Sequence, residues 1–155
     1  RTAEFLHGKG DLEVWVRINP MDGNEALNDL RAVMPGQPSG IVLPKPSSAA
    51  DAVRLGKLLD LFELENGVSA GTTGILPIAT ERPEALFRLH EYAGATNRLR
   101  ALTWGAEDLS ASVGATASRD DDGEWLPPYQ LARSLCLFAA AAANVPAIDT
   151  VYTAF

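Results

Sequence analysis

Cysteine occurs once in the 155 residues, at Cys136. A single thiol can neither form a disulfide within the chain nor build a cysteine-rich zinc site. Its surroundings, "LARSLCLFAAAAA", read as an apolar helix, so Cys136 is read as a buried helix residue and not as a nucleophile. Histidine is almost as scarce: His7 and His90 are the two. With so little sulfur and imidazole, a soft-metal site is a poor match, and oxygen donors remain. Runs of lysine or arginine are missing as well. The formal net charge is −7, which argues against nucleic acid or an anionic membrane as the main partner, because both require a basic face. A small anionic ligand stays compatible with this charge if its site supplies local positive charge. No apolar run approaches the ~20 residues of a membrane span, and no signal-peptide pattern is read. Together with the single cysteine, this gives a cytoplasmic setting as the expectation.

What the chain does have is 46% hydrophobic and 21% charged residues, ordinary for a soluble globular domain able to bury a core. Strand-like and helix-like segments alternate. "LEVWVRIN" (12–19) alternates Val14, Val16 and Ile18 against Trp15, Arg17 and Asn19, the period of a strand. A loop and short helix follow in "PMDGNEALNDLRAVM". "SGIVLPK" (39–45) is a short buried strand stopped by prolines. "PSSAADAVRLGKLLDLFELENG" is a helix capped at Ser47 or Ser48, with Leu55, Leu58, Leu59 and Phe62 at helical spacing and Asn66-Gly67 ending it. "GILPIATE" (74–81) is the next strand, and "RPEALFRLHEYAG" the next helix, with Pro83 early and Gly94 late. "LRALTWGA" is a fourth strand, "YQLARSLCLFAAAAANV" a long helix, and "PAIDTVYTAF" a fifth strand. "RTAEFLHGKG" reads as the tail of a helix before a glycine stop.

This alternation implies an α/β fold with a parallel sheet covered by helices on both sides. Two architectures satisfy it, the open doubly wound sheet and the closed (β/α)8 barrel. The G-x-G-x-x-G dinucleotide fingerprint is absent, and "GVSAGTTG" precedes a strand, so it reads as a connection and not as a phosphate cradle. Both architectures place the ligand at the carboxyl ends of the strands. The chemistry-bearing side chains cluster there: Arg17 and Asn19 after the first strand, Lys45 after the second, Glu81 after the third, Glu107 and Asp108 after the fourth.

Strand parity puts Arg17 on the face of Trp15 and Asn19, away from the aliphatic face that packs on helices. Glu81 shares parity with Pro77 and Ala79, and Asp108 with Trp104 and Ala106. Two carboxylates meeting in a cleft repel unless a proton or cation lies between them. Oxygen donors plus water suit magnesium or manganese. Other readings exist for each residue: Glu81 as a first-turn acid of the following helix, Asp108 as a helix N-cap, Arg17 as part of a structural ion pair, Lys45 as a solvated loop residue or as a substrate ligand. The cluster on one edge favours a site over these separate roles. "RDDDGEW" (119–125) reads as a solvated loop, with a lid as its functional alternative. Trp104 reads as barrel core and His90 as a helix-surface residue.

In order along the chain, "VWVRINP", "GIVLPKPSSAADAVRL", "ILPIATERPEALFRL", "TWGAEDLSASVG" and "PAIDTVYTAF" resemble the HpcH/HpaI aldolase and citrate lyase β-subunit family. The resemblance implies a (β/α)8 TIM barrel, a single domain over 1–155 covering about five central strands. It implies further strands before Arg1 and after Phe155 and a homo-oligomer, trimer or hexamer. It further implies a Mg²⁺-dependent (Mn²⁺ possible as substitute) carbon–carbon lyase, in many members acting on acyl-CoA thioesters of the malyl-, citramalyl- or citryl-CoA type. CoA would then be part of the substrate. A 4-hydroxy-2-oxo acid aldolase without CoA, or a non-catalytic binding relative, are the alternatives. Carried over by motif, Glu81 and Asp108 resemble the metal-binding carboxylates. Arg17 resembles the arginine that binds substrate oxygens and stabilises developing negative charge. Many members have "IET" where this chain has "ATER", and Glu81 is aligned with that glutamate.

Overall fold

In the computed structural model, residues 5, 6, 8 and 10–151 are described. His7, most of the expected N-terminal helix tail and the last four residues of "PAIDTVYTAF" lie outside them. Five strands alternate with helices: β1 (Trp15–Arg17), α1 (Glu25–Val33), β2 (Gly40–Leu43), α2 (Ala49–Glu65), β3 (Gly74–Pro77), α3 (Pro83–Leu86), β4 (Leu102–Thr103), α4 (Ala106–Ser112), α5 (Pro127–Ala142) and β5 (Ala147–Ile148). Short 3₁₀ turns occupy Met34–Gly36 and Leu89–Tyr92. Among the described residues, these five strands pair only in parallel. β1 pairs with β2 (Val16 beside Ile41), β2 with β3 (Ile41 beside Ile75), and β4 with β5 (Leu102 beside Ala147). Isolated parallel bridges, Ile75 to Leu99 and Ile78 to Thr103, link β3 to β4. The strands thus follow one another in chain order, as βαβ crossovers produce.

The two faces of this sheet differ for a sequence reason. Ile41, Ile75 and Leu43 are fully buried, and Ile75 faces Gly56 of α2. The opposite face carries Trp15, whose ring lies over Gly40 and Gly74; a Cβ built on Gly40 would stand 2.1 Å from a ring carbon. Only glycine leaves room for an indole flat against the sheet there. Trp15, Leu76, Arg100 and Ile148 line a cleft of about 970 Å³ at the amino ends of the strands, the end remote from the carboxyl-edge acids. Helix α2 buries Leu55, Leu59 and Phe62 of its expected stripe together with Ala52, and Leu58 is half-buried beside them. A fully buried leucine contributes roughly 2 kcal/mol, so this stripe fastens the helix to the sheet. Ser48 caps α2 by accepting the Ala50 N–H at 3.2 Å, and Gly67 follows its end at φ 66°.

Several expectations are corrected. The helix read over "RPEALFRLHEYAG" is a four-residue α3 and a separate 3₁₀ turn. Arg88 leaves helical geometry between them (φ −119°, ψ 7°), and Leu89 and Tyr92 are buried. An i, i+3 spacing of buried residues matches the tighter helix. Helix α4, treated above as sequence following a strand, begins directly at Ala106. "RDDDGEW" is exposed from Arg119 to Glu124, as a solvated loop is, and its two ends are closed by an antiparallel bridge. Arg119 pairs with Trp125 and stacks its guanidinium 3.4 Å from that ring's centroid. Asp120 Oδ1 accepts the Asp122 and Glu124 N–H groups. No described helix is long and apolar enough to cross a membrane.

Candidate functional site

Glu81 lies past the end of β3, in the turn before α3, where Arg82 is the N-cap. It belongs to no helical first turn. The residue is 5% exposed and therefore needs partners. Its Oε2 accepts the Lys45 backbone N–H at 2.6 Å. Asp108 sits in the first turn of α4, whose N-cap is Gly105, so Asp108 is not the N-cap residue. Ala106 and Leu109 of α4 are buried and anchor the helix. Glu107 is left exposed and Asp108 half-buried. Of the acidic pair after the fourth strand, Asp108 is the one whose carboxyl interacts with that of Glu81.

Lys45 joins both acids. Besides the amide contact to Glu81, its Nζ is 2.9 Å from Asp108 Oδ1. That ammonium–carboxylate pair is two-fifths exposed on both sides and so adds little stability; its consequence is positional. Lys45 stands between Pro44 and Pro46 with φ 50°, a left-handed conformation that costs a non-glycine residue roughly 1–2 kcal/mol. It is therefore not a plain solvated loop residue. The left-handed bend aims amide and ammonium at two carboxylates at once.

Arg17 occupies the sheet face of Trp15, as parity requires. It is exposed, and its guanidinium makes no hydrogen bond or ion pair among the described residues, yet its charge reaches Asp108. Asn19, two residues on, is turned to α1, where its amide groups donate to Asp29 Oδ2 at 2.7 and 2.8 Å. His90 is exposed and on the 3₁₀ turn. Trp104 is buried as expected, but under the 119–125 turn, edge-on to Trp125 at 5.1 Å, with its Nε1 donating to Asp149 Oδ1 at 2.6 Å.

The protonation pattern follows from these neighbours. Burial drives the Glu81 carboxyl up, and the adjacent Asp108 charge adds to this. The Lys45 amide opposes it, and the result is about 7. Asp108 is held below its usual range, first by the Lys45 ammonium. A proton shared between the two carboxyls therefore resides on Glu81. Among the described residues no cluster of three or more His, Cys, Asp or Glu could hold a metal. The oxygen donors are two carboxylates, the number from which magnesium is commonly held with water and substrate oxygens completing its shell. A dication fits this donor set, because it would provide the charge compensation that Lys45 and the Glu81 proton provide here.

Sequence reasoning missed three supports of this arrangement. Gly105 N–H donates to Thr80 Oγ1 at 3.0 Å, and a Cβ on Gly105 would come 2.8 Å from Glu81 Cγ. Ser112 Oγ, whose single proton is shared with the nearer Asp108 carbonyl at 2.8 Å, stands 3.2 Å from the Glu81 carbonyl. Arg82 reaches Asp22 and Ser47. The backbone of Gly105 is at φ −128°, so nothing but contact restricts the residue there. Gly105→Ala is expected to shift Glu81 and to destabilise the protein by ~1–3 kcal/mol through overpacking. Urea denaturation checks this, and wild-type stability would show that the contact yields.

The HpcH/HpaI aldolase/citrate lyase family model matches residues 2–155. Citrate lyase subunit beta of Escherichia coli K12 is 36% identical over 143 residues, covering 92% of this chain and 45% of that protein. A malyl-CoA/beta-methylmalyl-CoA/citramalyl-CoA lyase of Chloroflexus aurantiacus is 26% identical over 74% of this chain and 33% of its own. The crystal structure of protein CitE from Mycobacterium tuberculosis, in complex with magnesium and acetoacetate, superposes with a TM-score of 0.72 at 29% identity. It covers 89% of this chain and 51% of that one. The chain thus spans about half the length, or less, of these relatives.

Proposed function

The chain belongs to the HpcH/HpaI aldolase/citrate lyase family, and from that premise we propose that it forms part of a magnesium-dependent carbon–carbon lyase acting on a β-hydroxy acyl-CoA. The observation that carries the reading is the convergence of Glu81, Asp108 and Lys45 at the carboxyl edge of the parallel strands, with the Arg17 charge beside them. Residues 1–155 would be one domain, a portion of a (β/α)8 barrel, in keeping with five parallel strands in chain order. The relatives' names, a citrate lyase subunit and a CoA-thioester lyase, support the substrate class. A cytoplasmic homo-oligomer, trimer or hexamer, belongs to the same proposal.

Glu81 and Asp108 would hold the ion. When bound, magnesium supplies Lewis acidity to the oxo-acid portion of the substrate. Glu81, buried and fixed by the Lys45 amide, stays in place without reorganisation. Asp108 gains from its half-exposed position the freedom to exchange the Lys45 ammonium for another cation. Lys45 then has its ammonium available for a substrate carboxylate. Arg17, at the same carboxyl edge and close enough for its charge to act on Asp108, would offer planar donors to an oxygen that becomes negative as the carbon–carbon bond breaks.

The test is a magnesium-dependent assay of the full-length protein on malyl-, citramalyl- and citryl-CoA beside free 4-hydroxy-2-oxo acids. Thioester cleavage that stops on chelation and returns with Mg²⁺ is the expected outcome. Pyruvate release from a free acid alone would replace the CoA lyase by an aldolase. No turnover, combined with no Mg²⁺ binding, would leave a non-catalytic relative.

A further inference from the structure

Lys45 can touch Glu81 and Asp108 together only while its loop keeps a strained left-handed bend. Something must therefore hold the 44–48 loop against the turn that carries Glu81. Arg82, the residue after Glu81, does so from its far side. Its Nη1 donates to Ser47 Oγ at 3.1 Å, two residues beyond Lys45. Its Nη2 donates to Asp22 Oδ2 at 2.5 Å, in the loop between β1 and α1. Ser47 is held in turn by its own N–H, which donates to Asp51 Oδ2 at 2.8 Å. The loops after β2 and β3 are thus tied twice, by Lys45 to Glu81 and by Arg82 to Ser47. The loop after β1, which follows Arg17, is fastened to the same guanidinium.

We propose that Arg82 is a positioning residue of this site: by bridging Asp22 and Ser47 it clamps three carboxyl-edge loops, and so keeps the Lys45 amide on Glu81, the contact that holds this carboxylate in place when Asp108 exchanges the Lys45 ammonium for the ion. The planar fork of arginine reaches two acceptors on different loops at once, which a lysine ammonium at the end of one stem does less well. Groups that orient metal-binding side chains without touching the ion typically change affinity by about 10–100-fold when removed. Arg82 is such a group, and the proposal rests on the reading of Glu81 and Asp108 as a magnesium pair.

The experiment compares full-length wild type with Arg82→Ala, Arg82→Lys, Ser47→Ala and Glu81→Gln. Mg²⁺ dissociation constants come from calorimetry, with KM and kcat at saturating Mg²⁺. Exchange of the Lys45 amide proton is followed in metal-free protein. For Arg82→Ala the expected results are a Mg²⁺ dissociation constant raised ~10–100-fold, kcat at saturating Mg²⁺ reduced only a few-fold, and Lys45 amide exchange accelerated at least ~10-fold. Arg82→Lys should recover part of the affinity. Ser47→Ala, which leaves the Asp22 pair intact, should reproduce the faster exchange at Lys45. Unchanged affinity and exchange in a folded Arg82→Ala protein would overturn the proposal, as would a lowered melting temperature with neither quantity altered. Persistent Mg²⁺ binding in Glu81→Gln would instead remove the metal reading. Amide exchange at Lys45 would then decide the role of Arg82 alone.

Discussion

Glu81→Gln in the full-length protein is expected to abolish magnesium-dependent turnover, a loss of at least ~10²–10³-fold, while leaving the fold intact or more stable. The two halves of this expectation come from the same burial. Deep in the turn after β3, the carboxyl is pushed to about 7 by desolvation and the neighbouring Asp108. In the unfolded chain it titrates near 4.5. A raised acid binds more protons in the folded state between those values, so metal-free stability falls as pH rises from 4.5 through 7, and the cost is fully present above 7. That cost is on the order of 3 kcal/mol. Glutamine has the same shape, still accepts the Lys45 N–H and carries no charge. Urea denaturation of metal-free protein at pH 5 and pH 8 should show a decline for wild type that the variant lacks. Wild-type turnover in Glu81→Gln would remove this residue from the chemistry.

Arg98→Ala is expected to cost ~3–5 kcal/mol of stability, at the end of the sheet opposite the candidate site. Glu63 of α2 is completely buried and meets Arg98 in a bidentate pair, 2.9 Å to Oε1 and 2.7 Å to Oε2. The same guanidinium donates to the Thr73 carbonyl at 3.0 Å and pairs with Asp60. Backbone amides of Gly71 and Thr73 complete the shell of Glu63 at 2.8 and 2.7 Å. Two amides of "GVSAGTTG" are thus spent on a carboxylate of the chain itself, consistent with its reading as a connection. Burial pushes the Glu63 carboxyl up, but Arg98 and these amides outweigh it and hold it at about 2. Removing Arg98 leaves a buried charge with only part of its shell. The pH dependence has the opposite sign to that of Glu81. A lowered acid stabilises fully above its unfolded value of about 4.5, and the contribution is lost as pH falls from there toward 2. Thermal denaturation of wild type should therefore weaken steeply over that window, and Arg98→Ala should flatten the slope. A variant within ~1 kcal/mol of wild type would show that the pair is not a principal support of the α2–sheet contact.

Much of the framework was legible from pattern alone. Alternating β-branched residues marked the strands, and period-3.6 leucines marked α2 and its buried side. Parity in "VWVRIN" put Arg17 on the face of Trp15, because a strand side chain has only two directions to choose from. The short helix and 3₁₀ turn over 83–92 were not legible. Proline at 83 and glycine at 94 suit the ends of one helix equally well, and the burial of Leu89 and Tyr92 against other elements decides the break. Helix α4 was hidden because its N-cap is Gly105, which has no side chain to cap with and so offers no Ser, Thr, Asp or Asn signal.

By itself the sequence determined the alternation of strands and helices, the hard, oxygen-rich donor stock, and which charged residues stand at the carboxyl ends of strands. These follow from local rules of period, composition and chain order. Only the tertiary structure decided that Asp108 and not Glu107 meets Glu81. It also decided that Lys45 contacts both acids, that Gly105 makes room for one of them, and that Arg82 binds two other loops. Those contacts join residues separated by 24 to 63 positions, and their geometry depends on strand register and loop bends that no local period encodes.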